Sequence, residues 1–380
     1  MVIKGIATLS GATALSLLAM AAANAGGFSR GTADTDILFE QGNFNVRTSV
    51  TVVSPERKIK SGPSNIGHDY ADTYVMPSLA AKFRLSDNVS CAGTIANSFG
   101  AASSFDAPRA QAPVAPYTYY GKLEETFTVT EYAATCAVGF DLSKGRFSVI
   151  AGAYVDDFDY DLSVVIPGAG GAPTPLPVEL GGTAWGWRGG LAYEIPDIAL
   201  RAQVLYRSGT KIEATGTAAG GLGYAEGEGK LPQSVEAKFQ TGIAPGWLAY
   251  GSVKWTDWSV NKTLDLRTNL GFNSENKYYW RDGWTIMGGI GHSFNDQISG
   301  TAFLMWDRGT STGWDLHGDV VTLGAGLIMK DGFGELRLGG GVSRVGSVKE
   351  DKYGDGSSNY NYAVGSGWSV SGLAGYSLKW

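Results

Sequence analysis

The sequence predicts an all-β fold: a 14-stranded antiparallel transmembrane β-barrel with a short N-terminal plug segment. Three observations predict it. Apolar and polar residues alternate along most of the chain, short and long connections alternate between these runs, and tryptophans cluster at the ends of the runs. The run FNVRTSVTV, for example, places Phe44, Val46 and Val50 on one face and Asn45 and Arg47 on the other. Strict alternation gives a strand one apolar and one polar face.

The first residues have the pattern of a secretory signal peptide. Lys4 precedes an apolar run of small residues, and the triplet Ala23–Ala25 has the small-x-small pattern of a cleavage site. We expect cleavage of residues 1–25 and a mature chain that begins at Gly26; an uncleaved membrane anchor is the alternative. The net charge of −6 gives no reason to expect nucleic-acid binding.

The connections between the alternating runs indicate an up-and-down meander. Short breaks lie near residues 85–88, 142–146, 194–197, 244–246, 295–297 and 330–332. Long breaks, rich in Gly, Pro, Ser, Asp and Asn, lie near residues 55–72, 100–124, 157–180, 208–230, 259–282, 308–318 and 348–365. Fourteen strands of about 9–14 residues fit between them, long enough to cross a bilayer at a tilt. We expect a plug or gate segment at 26–41 and the barrel at 42–380, with the short turns at the periplasmic end.

The two faces of the strands indicate lipid outside and water inside. Tryptophans lie at strand ends on the apolar face, as membrane-interface girdles require: Trp185, Trp187, Trp247, Trp255, Trp284, Trp306, Trp368 and Trp380. The other face carries charges in mid-strand: Lys82, Arg188, Arg201, Lys238 and Arg337. A soluble β-sandwich would bury such charges in a dry core. The pattern therefore favours a barrel in the outer membrane of a Gram-negative bacterium.

The two cysteines lie at the same end of one predicted hairpin. Cys91 follows the turn into the third strand and Cys136 lies toward the end of the fourth, both in the outward phase. A shared face, a similar height and an oxidising compartment permit a disulfide. Two free thiols out of register are the alternative.

Residues that indicate enzymatic chemistry are sparse. No Ser or Asp is tied by a recognisable motif to His68, His292 or His317. No Cys/His spacing predicts a metal site. The acidic stretch at 156–161 fits a solvated or lipopolysaccharide-bridging rim better than a divalent-cation site. The sequence predicts no enzyme, no cofactor and no metal.

The predicted lumen combines cations with apolar residues. By phase, its cations are Arg47, Lys82, Arg84, Arg188, Arg201, Arg207, Lys238, Lys254 and Arg337, against the acids Glu236 and Glu335. Its apolar residues are Leu205, Leu248, Tyr250, Met287, Phe303, Met305 and Leu373. Positive charge beside apolar surface suits an amphiphile with an acidic head group. Plain filling of the barrel interior is the alternative for any one residue.

Three segments carry a resemblance to a known family. The hairpin LPQSVEAKFQTGIAPGWLAYGSVKWTDWSVNKTLDL (231–266) has Leu-Pro before a strand, a Pro-x-Trp turn and a closing Trp-Ser pair. The start GGFSRGTADTDILFEQGNFNVRTSVTVVSPER (26–57) has a short segment before a strand, and NVSCAGTIANSFG (88–100) has polar and glycine residues near its end. These segments resemble the plug and the third, eighth and ninth strands of the FadL/TodX outer-membrane transporters for long-chain fatty acids and other hydrophobic compounds.

The resemblance implies passive uptake. A ligand would enter among the outer loops and reach a pocket in the upper lumen. Movement of residues 26–35, with the gate at Gly26, Gly27 and Phe28, would release it. It would leave sideways into the membrane through a kink in the third strand at Asn97, Ser98 and Gly100. We expect the following residues to contact the ligand: Phe28, Arg47, Arg188, Arg201, Lys238, Tyr250 and Phe303.

Several alternatives remain at the level of the sequence. A general diffusion porin and a structural or adhesive outer-membrane protein are the rival functions. The ligand could be a fatty acid, a long-chain acyl signalling molecule or an aromatic hydrocarbon. As partners we expect outer-membrane lipid and lipopolysaccharide, and the barrel-assembly machinery, which would recognise the terminal Trp380. We expect a monomer.

Overall fold

A computed structural model describes residues 26–62, 64–109, 121–167, 173–271, 273–352 and 362–380. The predicted signal peptide, residues 1–25, lies outside the described residues. Four short 3-10 helices occur in the described part: Thr35–Phe39, Pro196–Ile198, Ala219–Gly221 and Trp258–Val260. In the part of the chain that is described, no helix is long and apolar enough to span a bilayer.

Fourteen antiparallel strands form the wall of the barrel in the described residues, and four of them, β7 to β10, consist of two segments each. In chain order their bounds are Phe44–Pro55 (β1), Tyr74–Arg84 (β2), Val89–Arg109 (β3), Gly121–Leu142 (β4), Gly145–Pro167 (β5), Pro173–Ile195 (β6), Leu200–Arg207 and Thr210–Ala218 (β7), Gly223–Leu231 and Ser234–Ala244 (β8), Trp247–Thr256 and Thr263–Thr268 (β9), Asn273–Lys277 and Gly283–Ser293 (β10), Ile298–Asp307 (β11), Val320–Lys330 (β12), Gly334–Val345 (β13) and Gly367–Lys379 (β14).

Strand β14 pairs with β1 and closes the barrel. Val50 lies opposite Ala374 in this ladder, and the carbonyl of Trp380 accepts hydrogen bonds from the N–H groups of Asn43 and Phe44 at 2.9 and 3.2 Å. Closure satisfies the backbone groups that an open edge would expose to lipid. The predicted fourteen-stranded meander is confirmed. Three short strands, Ile59–Ser61, Val348–Lys349 and Ala363–Val364, form a separate small sheet among the long connections.

The strands β3 to β6 are longer than the sequence predicts. They have 21 to 23 residues each, and much of the predicted breaks at 100–124 and 157–180 belongs to paired strands. The same correction holds for the breaks at 208–230 and 259–282, where β7 to β10 continue. Alternation does persist there, since Leu162 and Val164 are buried while Asp161 is exposed. Polar residues and glycines on the outward side make these strands look like loops by composition.

The breaks inside β8 and β9 turn backbone and side chains inward. Pro232, which has no N–H to donate to a ladder, lies in the break of β8. The break in β9 contains the 3-10 helix Trp258–Val260, and the Trp258 side chain is completely buried in the lumen.

The outward face is apolar and aromatic, as lipid requires. Trp185, Trp187 and Trp368 are 76%, 56% and 52% exposed, and Val50 and Leu323 are exposed between the strand ends. An outward apolar surface with aromatic residues at its rims is typical of outer-membrane barrels. In the same wall, Cys91 and Cys136 face each other across β3 and β4 and form a disulfide.

The lumen has two halves. We call the half near the short turns the lower lumen and the half near the long connections the upper lumen. In the lower lumen, Ile37 and Leu38 of the first 3-10 helix pack against small residues of β2, β3, β4 and β6, which leave room for the helix: Ala80, Ala92, Ala137 and Ala192. The other side of the lower lumen is filled by side chains of β9, β10 and β11: Leu248, Tyr250, Met287, Phe303 and Met305.

Candidate ligand-binding site and gate

The upper lumen contains the largest apolar cluster of the described residues. Strands β3 to β10 contribute inward-facing residues to it, and the break in β9 adds Trp258. Its buried members include Phe99, Val129, Tyr160, Leu162, Val178, Leu180, Ile212, Ala214, Leu266, Trp258 and Trp280. An apolar surface that faces the interior of a membrane barrel, rather than lipid, favours contact with an apolar solute.

Two cavities lie in this region. The smaller, of about 80 Å³, is mostly apolar and is lined by aliphatic residues and by the rings of Phe28, Phe127, Phe158, Tyr160, Trp258 and Tyr278. Four charged residues also line it: Glu125, Glu228, Lys230 and Asp265. The larger, of about 510 Å³, lies between the N-terminal residues and the long connections. Phe28, Glu125 and Tyr278 line both cavities, so the two adjoin each other. We call them the aromatic cavity and the vestibule.

Phe28 forms part of the wall between the aromatic cavity and the vestibule. Its ring lies 4.8 Å from that of Phe127, 4.6 Å from Trp280 and 6.0 Å from Trp258, and most of these contacts are edge-to-face. Such ring pairs contribute about 0.5–1.5 kcal/mol each beyond the area they bury. The ring of His317 approaches from the long-connection side at 5.3 Å. Phe28, which the sequence predicts as gate and ligand contact, is thus surrounded by aromatic rings.

Two glycines that directly precede Phe28, Gly26 and Gly27, lie in close contact with the barrel interior. Gly27 has a φ of +57°, and a Cβ there would lie 2.7 Å from the indole of Trp258, so a side chain would collide with it. The N–H of Gly26 donates to Oδ1 of Asp307 at 2.7 Å, and the Thr285 hydroxyl donates to Oδ2 at 2.6 Å. If cleavage follows Ala25, as the sequence predicts, the nitrogen of Gly26 becomes an α-ammonium group beside this carboxylate.

The N-terminal residues pair with β3 at an irregular point of the barrel wall. The β3–β4 register shifts between Asn97 and Phe99, which is a β-bulge at Ser98. On the other side of β3, pairing with β2 ends at Ala96. The free side is occupied from within, because Arg30 donates its N–H to the carbonyl of Ser98 at 3.0 Å.

This pairing continues on both sides of Arg30. Gly31 donates to the carbonyl of Asn97 at 2.8 Å, and Gly100 donates to the carbonyl of Phe28 at 2.9 Å. Nε of Arg30 also donates to the carbonyl of Gly100 at 2.9 Å, and its guanidinium lies over the ring of Tyr74 on β2. The predicted kink residues Asn97, Ser98 and Gly100 therefore meet the predicted gate segment at a gap between β2 and β3.

The following residues of the N-terminal segment are held in the lower lumen by ion pairs. Asp34 and Glu40 both pair with Arg47 of β1, and Asp36 pairs with Lys238 of β8 at 3.1 Å. All of these charged groups are buried. A buried pair is costly to break because the remaining charge is left without compensation.

The lumen cations that the sequence predicts as head-group contacts have protein partners. Arg188 pairs with Glu131, and Arg201 pairs with Glu194 at 2.9 Å. Arg207 pairs with Glu131 and Asp156, both at 2.8 Å. These acids balance the positive charge of the lumen. The assignment of faces from the sequence did not include them, so it overestimated the net positive charge. A ligand head group would compete with a protein carboxylate at Arg47, Arg188, Arg201 and Lys238.

Tyr250 and Phe303 do not line the cavities described above. They pack with Leu248, Met287 and Met305 in the lower lumen, and the hydroxyl of Tyr250 contacts that of Thr301. Their packing fits the alternative given above, in which a lumen residue fills the barrel interior and does not contact a ligand.

Sequence reasoning missed most residues that line the aromatic cavity. Phe158, Tyr160 and Tyr278 fall in predicted long breaks, where composition hid the strands. Trp258 was quoted for the resemblance but was not predicted to contact a ligand. Its indole Nε1 is buried and has no hydrogen-bond partner among the described residues. Among those residues no cluster of three or more His, Cys, Asp or Glu is placed to hold a metal ion.

Comparison with known proteins gives one similar curated protein. The chain is 25% identical over 277 residues to the long-chain fatty acid transport protein of Salmonella typhi. The match covers 60% of this chain and 61% of that protein, which is less than two thirds of its length. No family model matches the chain.

Solved structures resemble the chain over nearly its full length. A FadL homologue of Pseudomonas aeruginosa superposes with a TM-score of 0.68 at 15% identity, covering 90% of this chain and 91% of the other. The toluene transporter TodX of P. putida gives 0.63 at 12% identity, with 91% and 92% covered. The toluene transporter TbuX of Ralstonia pickettii gives 0.63 at 12%, with 94% and 96% covered. These likenesses show the fold. In sequence and in fold the chain resembles the FadL/TodX family, as its sequence predicts.

Proposed function

We propose that this protein carries hydrophobic or amphipathic small molecules passively across the outer membrane. The observation that carries the proposal is the position of Phe28. It forms a wall of an apolar cavity in the upper lumen and belongs to a segment that also occupies a gap in the barrel wall. A single movement of this segment would open both the cavity and the gap.

The proposed route follows the surfaces already described. An apolar solute enters the vestibule from the long connections and passes Phe28 into the aromatic cavity. Release follows when residues 26–31 leave their place beside β3. The solute then leaves between β2 and β3, at the level of Asn97, Ser98 and Gly100, into the membrane. Lateral release suits an apolar solute, since water beyond the barrel offers it no favourable environment.

The lower lumen argues against a general diffusion porin. The 3-10 helix Thr35–Phe39 fills one side of it and the cluster around Met287 fills the other. Buried ion pairs at Arg47 and Lys238 hold the helix in place. We propose that residues 26–41 act as a plug of which the lower part is fixed. A permanently open aqueous channel would need this part to be displaced.

The chemistry of the outer surface supports the remaining parts of the proposal. We propose that the barrel lies in the outer membrane as a monomer, in contact with lipid and lipopolysaccharide. The exposed apolar belt supports the membrane location. Where β1 and β14 meet, the ring of Trp380 lies 5.2 Å from the ring of Phe44, measured between centroids. We propose that Trp380 is an aromatic signal that the barrel-assembly machinery recognises.

The proposal is tested by uptake in a Gram-negative host that lacks its own transporters for hydrophobic compounds. Cells producing this protein should accumulate labelled oleate or labelled toluene faster than cells with an empty vector. Deletion of residues 26–30 should change the uptake rate while the barrel still folds, as checked by heat-modifiable migration in gels. The same protein in planar bilayers should show no steady conductance. Uptake at the empty-vector rate for both probes would contradict transport, and steady conductance would favour a porin.

A further inference from the structure

The disulfide of the barrel wall lies on the apolar outer face. Cys91 and Cys136 are directly opposed across β3 and β4, and both belong to the outward side of their strands. On the side of the short turns, the next outward pair is Val89 and Val138, and Phe140 follows on β4. Apolar side chains therefore lie between the two sulfur atoms and the water at the short-turn end of the barrel.

The same apolar surface continues around the disulfide. On the side of the long connections, Ile95 and Tyr132 form an outward pair, and both are exposed. Phe83 of β2, which is also exposed, lies opposite Cys91 in the other ladder of β3. In the proposed membrane location lipid covers this surface, so the sulfur atoms face hydrocarbon.

Hydrocarbon prevents the chemistry by which a disulfide forms or opens. The attacking group in thiol–disulfide exchange is a thiolate, which must reach the sulfur atom that it attacks. A thiolate, like any unpaired charge, is strongly disfavoured in an apolar environment. The bond between Cys91 and Cys136 must therefore form while the chain is still in water, before β3 and β4 enter the membrane.

The two strands that the disulfide joins contain few side chains that could fix their register. Apart from the cysteines, residues 90–94 and 133–137 are all Ala, Gly, Ser or Thr. A slip by two residues returns every side chain to its own face of the sheet, so small side chains oppose such a slip only weakly. It would place Cys91 opposite Ala134 or Val138, and the disulfide excludes both arrangements.

The register of β3 matters because this strand borders the gap in the wall. Its pairing with β2 ends at Ala96, whereas its ladder with β4 continues beyond that residue. The carbonyls of Asn97 and Ser98, just above Ala96, accept hydrogen bonds from Gly31 and Arg30. A slip of β3 along β4 would displace these carbonyls from the N-terminal segment that pairs with them.

We propose that the Cys91–Cys136 disulfide is made in the periplasm on the unassembled chain, fixes the register of β3 and β4 before insertion, and is then shielded by lipid. The partner in this step is a protein oxidant with an active-site disulfide. The inference rests on the proposed outer-membrane location and is independent of what the barrel transports.

The oxidation proceeds by two exchange steps. The thiolate of one cysteine attacks the disulfide of the oxidant, which forms a mixed disulfide and releases one thiolate of the oxidant. The thiolate of the other cysteine attacks the sulfur of the first, which forms the Cys91–Cys136 bond and releases the second thiolate. Two electrons and two protons thus pass from the two cysteines to the oxidant, which leaves as a dithiol.

The first test measures whether lipid shields the bond. Isolated outer membranes that contain the full-length protein are treated with tris(2-carboxyethyl)phosphine, a charged, water-soluble reductant. The thiols are then counted, after denaturation, by the mass that a polymer-linked maleimide adds. The bond should stay closed in the membranes and should open in the same chain unfolded in urea. Equally fast opening in both samples would overturn the inference.

The second test removes the oxidant. In a host without its periplasmic dithiol oxidase, the protein should reach the membrane with reduced cysteines and in a smaller amount, measured as heat-modifiable barrel. Complete oxidation in this host would contradict the proposed partner. A chain with Cys91→Ala and Cys136→Ala should show the same loss in the normal host, and the two hosts should assemble it equally well.

A matched control separates the bond from the apolar surface around it. Val89→Ala with Val138→Ala changes the adjacent outward pair and leaves the disulfide intact. This chain should assemble better than the chain without cysteines. Undiminished assembly of the chain without cysteines would show that the disulfide does not fix the register, and would overturn that part of the inference.

Discussion

The N-terminal segment consists of two parts that are held in different ways. Residues 26–31 lie in the upper lumen and are held by hydrogen bonds to β3, by the contact with Asp307 and by the ring of Phe28. Residues 34–40 lie in the lower lumen and are held by buried ion pairs to β1 and β8 and by Ile37 and Leu38. From this difference we predict that residues 26–31 move while residues 34–40 keep the lower lumen closed. The predicted moving part is then shorter than residues 26–35, the range that the resemblance implies.

The largest effect is expected from loss of the lower anchor. Arg47→Met leaves Asp34 buried without its ion-pair partner, at a cost of about 3–5 kcal/mol, and leaves Glu40 with the more distant Arg337 at 3.7 Å. The lower part should leave its seat, so the purified barrel should show steady ion conductance in planar bilayers. The control is Arg84→Met, which removes an exposed cation at the end of β2 that pairs with Asp87. Closed behaviour of the Arg47→Met barrel would show that the lower part is not fixed by these pairs.

A smaller and different effect is expected in the upper part. Phe28→Ala removes the central ring of the aromatic contacts, at about 2–3 kcal/mol. Uptake of labelled oleate or toluene should change, because residues 26–31 lose their main apolar contact, while bilayers should still show no steady conductance. Phe39→Ala is the matched control, since Phe39 lies in the lower lumen over Arg201. The contrast between the two parts would be lost if both variants changed uptake equally.

The sequence was sufficient for the architecture because alternation is a local property. Each run of residues 44–55 or 367–379 reveals its inward and outward faces without reference to any other strand. The strand count, the closure at Trp380 and the family resemblance follow from such patterns. Strand length was harder, since β5 continues into the break that composition predicts, with aspartates outward and its apolar side inward.

The site depended on information that local patterns do not contain. The alternation along each strand showed that Arg188 and Arg201 face inward. It did not show that Glu131 and Glu194 pair with them in the lumen. The position of Phe28 depends on how the segment 26–41 folds back into the barrel, which no periodicity encodes. Arg57 lies outside any alternating run, so only the folded chain brings it to the vestibule.

The central claim is that residues 26–31 must leave β3 for transport to occur, and a reversible cross-link tests it directly. Ser29 and Phe99 are directly opposed in an antiparallel bridge. The flanking hydrogen bonds make them a non-hydrogen-bonded pair, whose Cα atoms lie about 4.5 Å apart, within the range for a disulfide. Ser29→Cys and Phe99→Cys are combined in a chain whose native Cys91 and Cys136 are replaced by serine.

Uptake of labelled oleate or toluene is then measured under oxidising conditions and again after reduction, with each single cysteine variant as control. The account predicts that oxidation stops uptake in the double variant alone and that reduction restores it. Uptake by the oxidised, cross-linked protein at the rate of its reduced form would contradict the account.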